Sequence, residues 1–227
     1  NALRIVIETL CRQDDGNIEI IIADDGSDES TKNVINELTK LYPKTKIKHV
    51  WQENKGFRLA KIRNLAVLKS SGEYLIFLDG DCIPPPNFIK SHRELMEQGC
   101  AVYGQRILSS ATFTAIIEQD PTLLFTGKFW KFTNFLKLYI TRNINRILPT
   151  IKISNGQWRK HSPRGWQNIR GCNWAMWRQD YIAINGSDET FIGWGAEDKD
   201  VAVRLINYGV CLKDGRYNSY VLHLWHP

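Results

Sequence analysis

The most constraining feature of this sequence is an apolar run, 75–78, that ends in two acidic residues, Asp79 and Asp81, separated by one glycine. Successive side chains of an extended segment alternate faces, so both carboxylates are expected to point the same way from the end of a strand. Two such carboxylates repel each other unless a cation lies between them. Mg²⁺ or Mn²⁺ bound to the phosphates of a nucleotide would suit these carboxylates, because both ions prefer oxygen ligands. The alternative is a polar turn that closes a buried strand.

Composition predicts one globular domain with an anionic partner. The chain has 227 residues, 43% of them hydrophobic, and a net charge of +6. That sign alone does not choose among nucleic acid, nucleotide-sugar and anionic membrane. The five cysteines form no Cys-x-x-Cys pair, so neither a zinc site nor a disulfide framework is predicted, and a reducing cytoplasm is the simplest location. No apolar run is long enough to cross a bilayer, so any membrane contact is expected to be peripheral.

Hydrophobic periodicity predicts alternating helices and strands. Helices are predicted at 3–12, 30–41, 58–69 and 88–98, and strands at 18–23, 46–51, 73–78 and 101–107. This alternation favours a mostly parallel sheet with helices on both faces. Since no repeat or linker follows, we predict a single domain, 1–227, with an inserted lobe at 109–170 between the halves 1–108 and 171–227.

The inserted lobe is rich in aromatic and basic residues, and the segment from Phe125 to Arg146 allows two interpretations. Phe129, Phe132 and Phe135 have helical spacing and alternate with lysines and arginines. Such a segment could lie against an anionic membrane that carries a lipid-linked substrate. The same spacing equally suits a stripe of rings packed into the core.

Two further acidic motifs indicate a ligand site. Asp25, with Asp24 before it, follows a predicted strand at the edge where open α/β sheets bind ligands, and its carboxylate could accept a hydrogen bond from a base such as uracil. The alternative is a helix N-cap at Ser27 or Asp28. Later, Glu197 and Asp198 follow Gly193-Trp194-Gly195 and begin a predicted helix.

The glycines around Trp194 permit an unusual backbone path, and its indole could form a platform for a sugar. A carboxylate beside that platform could remove a proton from a sugar hydroxyl. The alternative is a pair of acids that only complements the helix dipole. His223 and His226 could bind a metal, although a lone histidine is more often structural.

In order and spacing, these three motifs resemble those of family 2 inverting glycosyltransferases of the GT-A fold. The block Gly193-Trp194-Gly195-Ala196-Glu197-Asp198 is similar to that of β-1,4-galactosyltransferases and bacterial chondroitin-type polymerases. The resemblance spans nearly the whole chain. It implies a single Rossmann-like, mostly parallel sheet flanked by helices, with nucleotide bound by the half 1–108 and acceptor and catalysis in the half 171–227.

The resemblance also implies roles for individual residues. The nucleotide would be bound by Asp25, Arg58 and Asp79, and the metal by Asp81 and His223, with His226 in reserve. Asp198 would be the catalytic base, and Glu197 would help to hold a sugar. Further substrate contacts would come from Trp194, Gly195 and Asn173.

The implied reaction is metal-dependent transfer of a sugar, with inversion, from a UDP-sugar to a hydroxyl of a glycan or lipid-linked acceptor. Mn²⁺ or Mg²⁺ would be the cofactor, the setting would be bacterial surface polysaccharide synthesis at the inner face of the cytoplasmic membrane, and no nucleic-acid partner is expected. A nucleotidyltransferase-type enzyme is an alternative, although it does not explain Gly193-Trp194-Gly195. A nonenzymatic carbohydrate-binding domain is another, but it leaves the acidic motifs without a purpose.

One departure from the family pattern concerns the first strand. Members begin with a strand, whereas this sequence starts at Asn1 in the first predicted helix. A sheet that lacks an inner strand exposes unpaired backbone groups. We therefore expect the first strand to be missing from this sequence.

Overall fold

A computed structural model describes residues 1–15, 17–161, 166–167, 169–193 and 195–227. Helices and strands follow one another as α1 (Ala2–Cys11), β1 (Glu19–Asp24), α2 (Glu29–Leu41), β2 (Lys46–Trp51), α3 (Leu59–Lys69), β3 (Tyr74–Leu78), β4 (Cys82–Ile83), α4 (Phe88–Leu95), β5 (Cys100–Tyr103), β6 (Gln105–Leu108), α5 (Ala111–Gln119), α6 (Phe132–Ile140), β7 (Lys160–His161), β8 (Asn173–Trp177), α7 (Arg178–Ala183), α8 (Glu197–Tyr208), β9 (Cys211–Asp214) and β10 (Tyr220–His223). The predicted alternation up to α4 is confirmed, with each end within three residues.

The α/β class is confirmed, but the strands form three sheets in the described part of the chain. β1 pairs with β2 in parallel, β3-β8-β5-β9-β7 form a mixed sheet, and β4-β10-β6 form a third. The prediction of a single mostly parallel sheet is therefore wrong in this detail. Parallel neighbours arise from helical crossovers, whereas β8 returns after the inserted lobe and pairs antiparallel with both β3 and β5.

A groove of about 780 Å³ separates β1 from β3 and is lined by both strands together with α1 and α3. Strand pairing across this groove is absent among the described residues, so β1 and β2 stand apart from the larger sheet. The additional strand expected before α1 stays a prediction.

The predicted strand at 101–107 is wrong because it divides at Gly104 into β5 and β6. β5 pairs with β8 and β9, whereas β6 pairs with β10. A Cβ atom on Gly104 would lie 2.2 Å from the side-chain nitrogen of Asn173. Only a residue without a side chain therefore lets the chain pass Asn173 and change sheets.

The inserted lobe shares a hydrophobic core with the rest of the chain. Phe129 and Phe135 are 8% and 0% exposed and pack in one cluster with residues of α1 and β10. The core-facing interpretation is therefore correct for these two rings, and the membrane interpretation is wrong for them. Phe132 is 47% exposed and points away from that cluster.

A disulfide joins Cys100 and Cys211, which face each other in register on the parallel strands β5 and β9. The cysteine spacing indicated no disulfide framework, so this bond was not predicted. The two residues are 111 positions apart, so local cysteine spacing carries no signal for the pairing. With this bond present, cysteine usage no longer favours a reducing compartment.

His92 links α4 to β8 and the turn before β10. It is 0% exposed, and its Nε2 lies 3.1 Å from Oδ1 of Asn173 and 2.9 Å from Oγ of Ser219. Burial lowers the pKa of His92 to about 4, because the charged imidazolium loses its hydration, and the hydrogen bond to Asn173 offsets this only in part.

We expect the stability conferred by neutral His92 to be lost as the pH falls. In the unfolded chain a histidine takes up a proton near pH 6.5, whereas folded His92 does so near pH 4, so between these values the unfolded state binds more protons. Urea unfolding across that range should show wild-type stability falling by up to about 1.4 kcal/mol per pH unit more steeply than in His92→Gln. Equal slopes for the two proteins would contradict the assignment.

Candidate functional site

Asp81 lies between the two predicted histidine ligands. The antiparallel pairing of β4 with β10 places His223 opposite Cys82, next to Asp81. Oδ2 of Asp81 is 3.6 Å from Nε2 of His223 and 3.4 Å from Nε2 of His226. The structure therefore brings together the predicted ligands Asp81 and His223 and also the reserve residue His226.

The residues around Asp81 fit a divalent cation. Oδ1 of Asp81 is buried without a hydrogen-bond partner among the described residues, an unfavourable state that a bound cation would relieve. Ligand atoms of Asp81, Cys82 and His223 all lie within 4.8 Å of one another. Carboxylate and water ligands suit Mn²⁺ and Mg²⁺, and the imidazole nitrogen favours the transition metal of the two.

Arg63 of α3 joins the first acidic motif to the last. Its Nη1 is 2.5 Å from Oδ1 of Asp198, and its Nη2 is 3.6 Å from Oδ1 of Asp79. It also donates a hydrogen bond to the carbonyl oxygen of Gly171 at 3.3 Å. One almost fully buried guanidinium thus holds together carboxylates from β3 and α8 that are distant in sequence.

The sequence did not lead us to Arg63, and Arg58, which the family resemblance assigns to the nucleotide, stays a prediction. A signal was available, because Ala60, Ala66 and Val67 place the buried face of α3 on the same side as Arg63. An arginine on the apolar face of a helix needs buried acidic partners. That pattern points to a charged cluster beneath the helix.

Asp79 lies where several negative charges meet. Burial raises the pKa of Asp79 above its ordinary value, the Asp81 and Asp198 carboxylates raise it further, and Arg63 and His223 offset only part of this. The site therefore has an excess of negative charge that a cation would balance.

The start of α8 has the unusual backbone path that its glycines suggested. Gly193 and Gly195 have φ angles of 93° and 109°, and Ala196 follows with a φ angle of 74°. Only 7% of Glu197 is exposed, and its Oε2 has no hydrogen-bond partner among the described residues. The predicted sugar platform, Trp194, lies outside the described residues.

Gly171 and Asn173 approach this cluster from the strand β8. A Cβ atom on Gly171 would lie 2.2 Å from Oδ2 of Asp198, so the absence of a side chain there makes room for the carboxylate. Asn173 is 1% exposed, and its amide bonds to the Gln105 carbonyl, His92 and Ser219. These bonds engage the side chain of Asn173 in a buried network, and its role as a substrate contact stays a prediction.

Asp25 and Arg58, both predicted to bind the nucleotide, lie together beyond the ends of β1 and β2. The backbone N–H of Arg58 donates a hydrogen bond to Oδ2 of Asp25, and Nε2 of Gln52 donates to Oδ1 at 2.5 Å. The N-cap interpretation applies to a different residue of the turn, Asp28, whose side chain accepts a hydrogen bond from the backbone N–H of Ser30.

The neighbouring Asp24 has a structural role. Burial opposes its ionisation, but hydrogen bonds from the backbone N–H of Ser27 and from His49 outweigh burial and lower the pKa of Asp24 below its ordinary value. Its carboxylate is thus fixed and buried within the turn, whereas Asp25, which is also hydrogen-bonded, is partly exposed and is the acid that a ligand can reach.

We expect Arg63→Met to destabilise the fold, because Asp79 and Asp198 would lose the cation between them. Because the side chains of Asp198 and Asp79 remain 20% and 41% exposed, removing Arg63 should lower the free energy of unfolding by about 2 kcal/mol. Lys69→Met is the matched control, since Lys69 is an exposed cation in the same helix. Equal urea midpoints for the two variants would show that Arg63 does not hold the cluster together.

The sequence matches two protein families, Glycosyl transferase family 2 over residues 1–153 and the N-terminal domain of galactosyltransferase over residues 152–226. It is 27% identical to the chondroitin synthase of Escherichia coli over 224 residues, which cover 91% of this chain and 30% of the synthase. It is 25% identical over 213 residues to the validoxylamine A glucosyltransferase of Streptomyces hygroscopicus subsp. jinggangensis, covering 89% of this chain and 47% of the relative. The chain thus spans less than half the length of each of these two relatives.

The fold is similar to those of solved glycosyltransferases. S. aureus TarS has a TM-score of 0.67 at 13% identity, with 100% of this chain and 35% of TarS covered. The mannosyltransferase PcManGT from Pyrobaculum calidifontis, solved with GDP-Man and Mn²⁺, has a TM-score of 0.64 at 14% identity, with 98% of this chain and 52% of that protein covered. These likenesses confirm the GT-A fold expected from the motifs. Because the first family match covers more than half of the sequence, the chain belongs to glycosyl transferase family 2.

Proposed function

We propose that this glycosyltransferase moves a sugar, with inversion, from a UDP-sugar to a hydroxyl group of a glycan or lipid-linked acceptor. The observation that carries the proposal is the single cluster in which Arg63 joins Asp79 to Asp198. The proximity of Asp79, which would face the nucleotide, to Asp198, the candidate base, supports the proposal. The family match favours glycosyl transfer over the nucleotidyltransferase and carbohydrate-binding alternatives.

A divalent cation, Mn²⁺ or Mg²⁺, would be held by Asp81 and His223, with His226 in reserve. The buried, unpartnered Oδ1 of Asp81 supports this site. Two solved neighbours, PcManGT and GalNAc-T7, were crystallised with Mn²⁺, which supports manganese. When bound, the ion would neutralise charge on the departing nucleoside diphosphate.

Asp198 is the base in this proposal. Its Oδ1 is fixed by Arg63, so its Oδ2 is the oxygen left to accept the proton of the acceptor hydroxyl. Attack of that hydroxyl on the anomeric carbon, in line with the departing diphosphate, inverts the configuration without a covalent sugar–enzyme intermediate. The unpartnered Oε2 of Glu197 would accept a hydrogen bond from a sugar hydroxyl, and Trp194 and Gly195 stay the predicted contacts of that sugar.

The nucleotide would lie along Asp25, Arg58 and Asp79. TarS 1-349 was solved with UDP-GlcNAc, whereas PcManGT was solved with GDP-Man, so the solved neighbours include more than one donor base. We favour UDP because GalNAc-T7 and TarS 1-349 were solved with UDP or UDP-GlcNAc, and each oxygen of Asp25 keeps a second acceptor position for the imide N–H of uracil. The chondroitin synthase relative supports a role in bacterial surface polysaccharide synthesis. A cytoplasmic location, at the inner face of the membrane, is part of this proposal.

The decisive experiment measures nucleoside diphosphate release from a panel of UDP- and GDP-sugars, with Mn²⁺ or with chelator. We expect metal-dependent release from a UDP-sugar that increases when a saccharide acceptor is added, and a product whose anomeric configuration is inverted. Release from GDP-sugars alone would overturn the choice of UDP. A product that retains the donor configuration would overturn the mechanism.

A further inference from the structure

The outer face of α6 consists of four apolar side chains that point away from the core. Phe132, Leu136, Tyr139 and Ile140 are 47%, 41%, 46% and 71% exposed. Their spacing of four, three and one places them on one side of the helix, next to the side that carries the buried Phe135. This contiguous apolar face is unusual because exposed apolar residues are normally scattered singly.

The segment that carries α6 is strongly basic. Residues 121–160 contain 8 lysines and arginines and no aspartate or glutamate. Ion pairs are absent, within the described ranges, from an exposed subset of these cations, namely Lys128, Lys131, Lys137, Arg142 and Arg146. Free cations beside an apolar face are typical of surfaces that contact anionic lipid.

A shallow depression of about 550 Å³ lies at the carboxyl end of α6. Its lining is mixed, with apolar groups from Leu108, Tyr139, Ile140 and Ile144 and polar groups from Ser109, Ser110, Arg142 and Asn145. A lining of both kinds with one cation suits the boundary between an acyl chain and a phosphate headgroup.

We propose that the outer face of α6 docks on the anionic surface of a lipid bilayer, with its apolar side chains in the interface and Lys131 and Lys137 at headgroup phosphates. None of the helices within the described residues is long and apolar enough to cross a membrane, so α6 lies along the surface. The contacting residues differ from the buried rings Phe129 and Phe135. The proposal goes beyond the transferase reaction and does not depend on it.

Charge excludes a second copy of the chain as the occupant, because two such faces would bring unpaired cations together. A soluble anionic glycan would satisfy the cations but would leave Leu136 and Ile140 exposed to polar hydroxyl groups. Only a surface that is both anionic and apolar satisfies both parts of the face.

The test is sedimentation of the chain with vesicles of phosphatidylcholine alone and with vesicles of phosphatidylcholine and phosphatidylglycerol in equal parts, at low salt. We expect binding to the anionic vesicles, a loss of roughly tenfold or more in Ile140→Asp, and a loss on the order of 20-fold in Lys131→Gln/Lys137→Gln. Leu68→Asp is the matched control, since Leu68 is 70% exposed on α3, away from α6, and Ile140 is 71% exposed. Circular dichroism establishes that each variant is folded.

Failure of the wild-type chain to sediment with anionic vesicles would overturn the proposal, as would equal losses in Ile140→Asp and Leu68→Asp. Dextran sulfate is the probe for the polyanion alternative. If the double lysine variant loses binding to dextran sulfate and to vesicles while Ile140→Asp loses neither, the face binds a soluble polyanion and the membrane proposal is wrong.

Discussion

Asp198→Asn is expected to lower turnover by roughly 10²-fold or more, because the amide keeps the shape of the side chain but cannot accept the proton of the acceptor hydroxyl. Binding of the donor should change little, since the first acidic motif remains intact. Single-turnover rates and calorimetric donor affinity, measured on the same preparation, separate the two effects.

The matched control is Asp200→Asn. Asp200 lies in the same first turn of α8, but its carboxylate pairs with Arg204 at 2.6 Å and does not contact Arg63 among the described residues. The same chemical change two residues away should therefore leave turnover near that of the wild type. If Asp198→Asn retains wild-type turnover with the true acceptor, the base role moves to Glu197, and Glu197→Gln becomes the decisive variant.

The sequence predicted elements well where local patterns determine structure. The β-branched run that became β1 and the amphipathic spacing of α2 and α3 carry their own signals, because burial of one face selects the period. Pairing between distant segments has no such signal. Neither the insertion of β8 between β3 and β5 nor the Cys100–Cys211 bond leaves a mark on local periodicity.

The candidate site shows the same division. Acids at strand ends and at the start of a helix were identifiable, because the carboxyl edge of an α/β sheet is where ligands bind. Arg63 was missed, since one arginine within an apolar helix face is visible only once acidic partners from two other elements are known. Asn173 was selected from its place in the family motif, but its side chain lies in a buried network that sequence alone does not disclose.

Asp81→Ala is expected to abolish metal-dependent binding of the donor nucleotide. Asp81 is the acid nearest both His223 and His226, and a neighbouring carboxylate in an equivalent position is absent from the described residues. In wild type, Mn²⁺ at about 100 times its dissociation constant should stabilise the fold by roughly 2.7 kcal/mol, and this gain should vanish in the variant. Thermal unfolding with and without Mn²⁺ and calorimetry with UDP measure both effects.

Without metal, the same variant should be at least as stable as the wild type, because it removes a buried carboxylate oxygen that has no hydrogen-bond partner. A variant that is less stable than the wild type with Mn²⁺ but at least as stable without it has lost a metal ligand and is not misfolded. Comparing His223→Ala with His226→Ala then identifies which histidine binds the metal with Asp81. The side chain of His223 is 12% exposed and that of His226 is 62% exposed. Because His223 is better fixed, we expect His223→Ala to cause the larger loss of Mn²⁺ affinity. An unchanged Mn²⁺ effect in Asp81→Ala would mean that the metal binds elsewhere, and the metal site proposed here would be wrong.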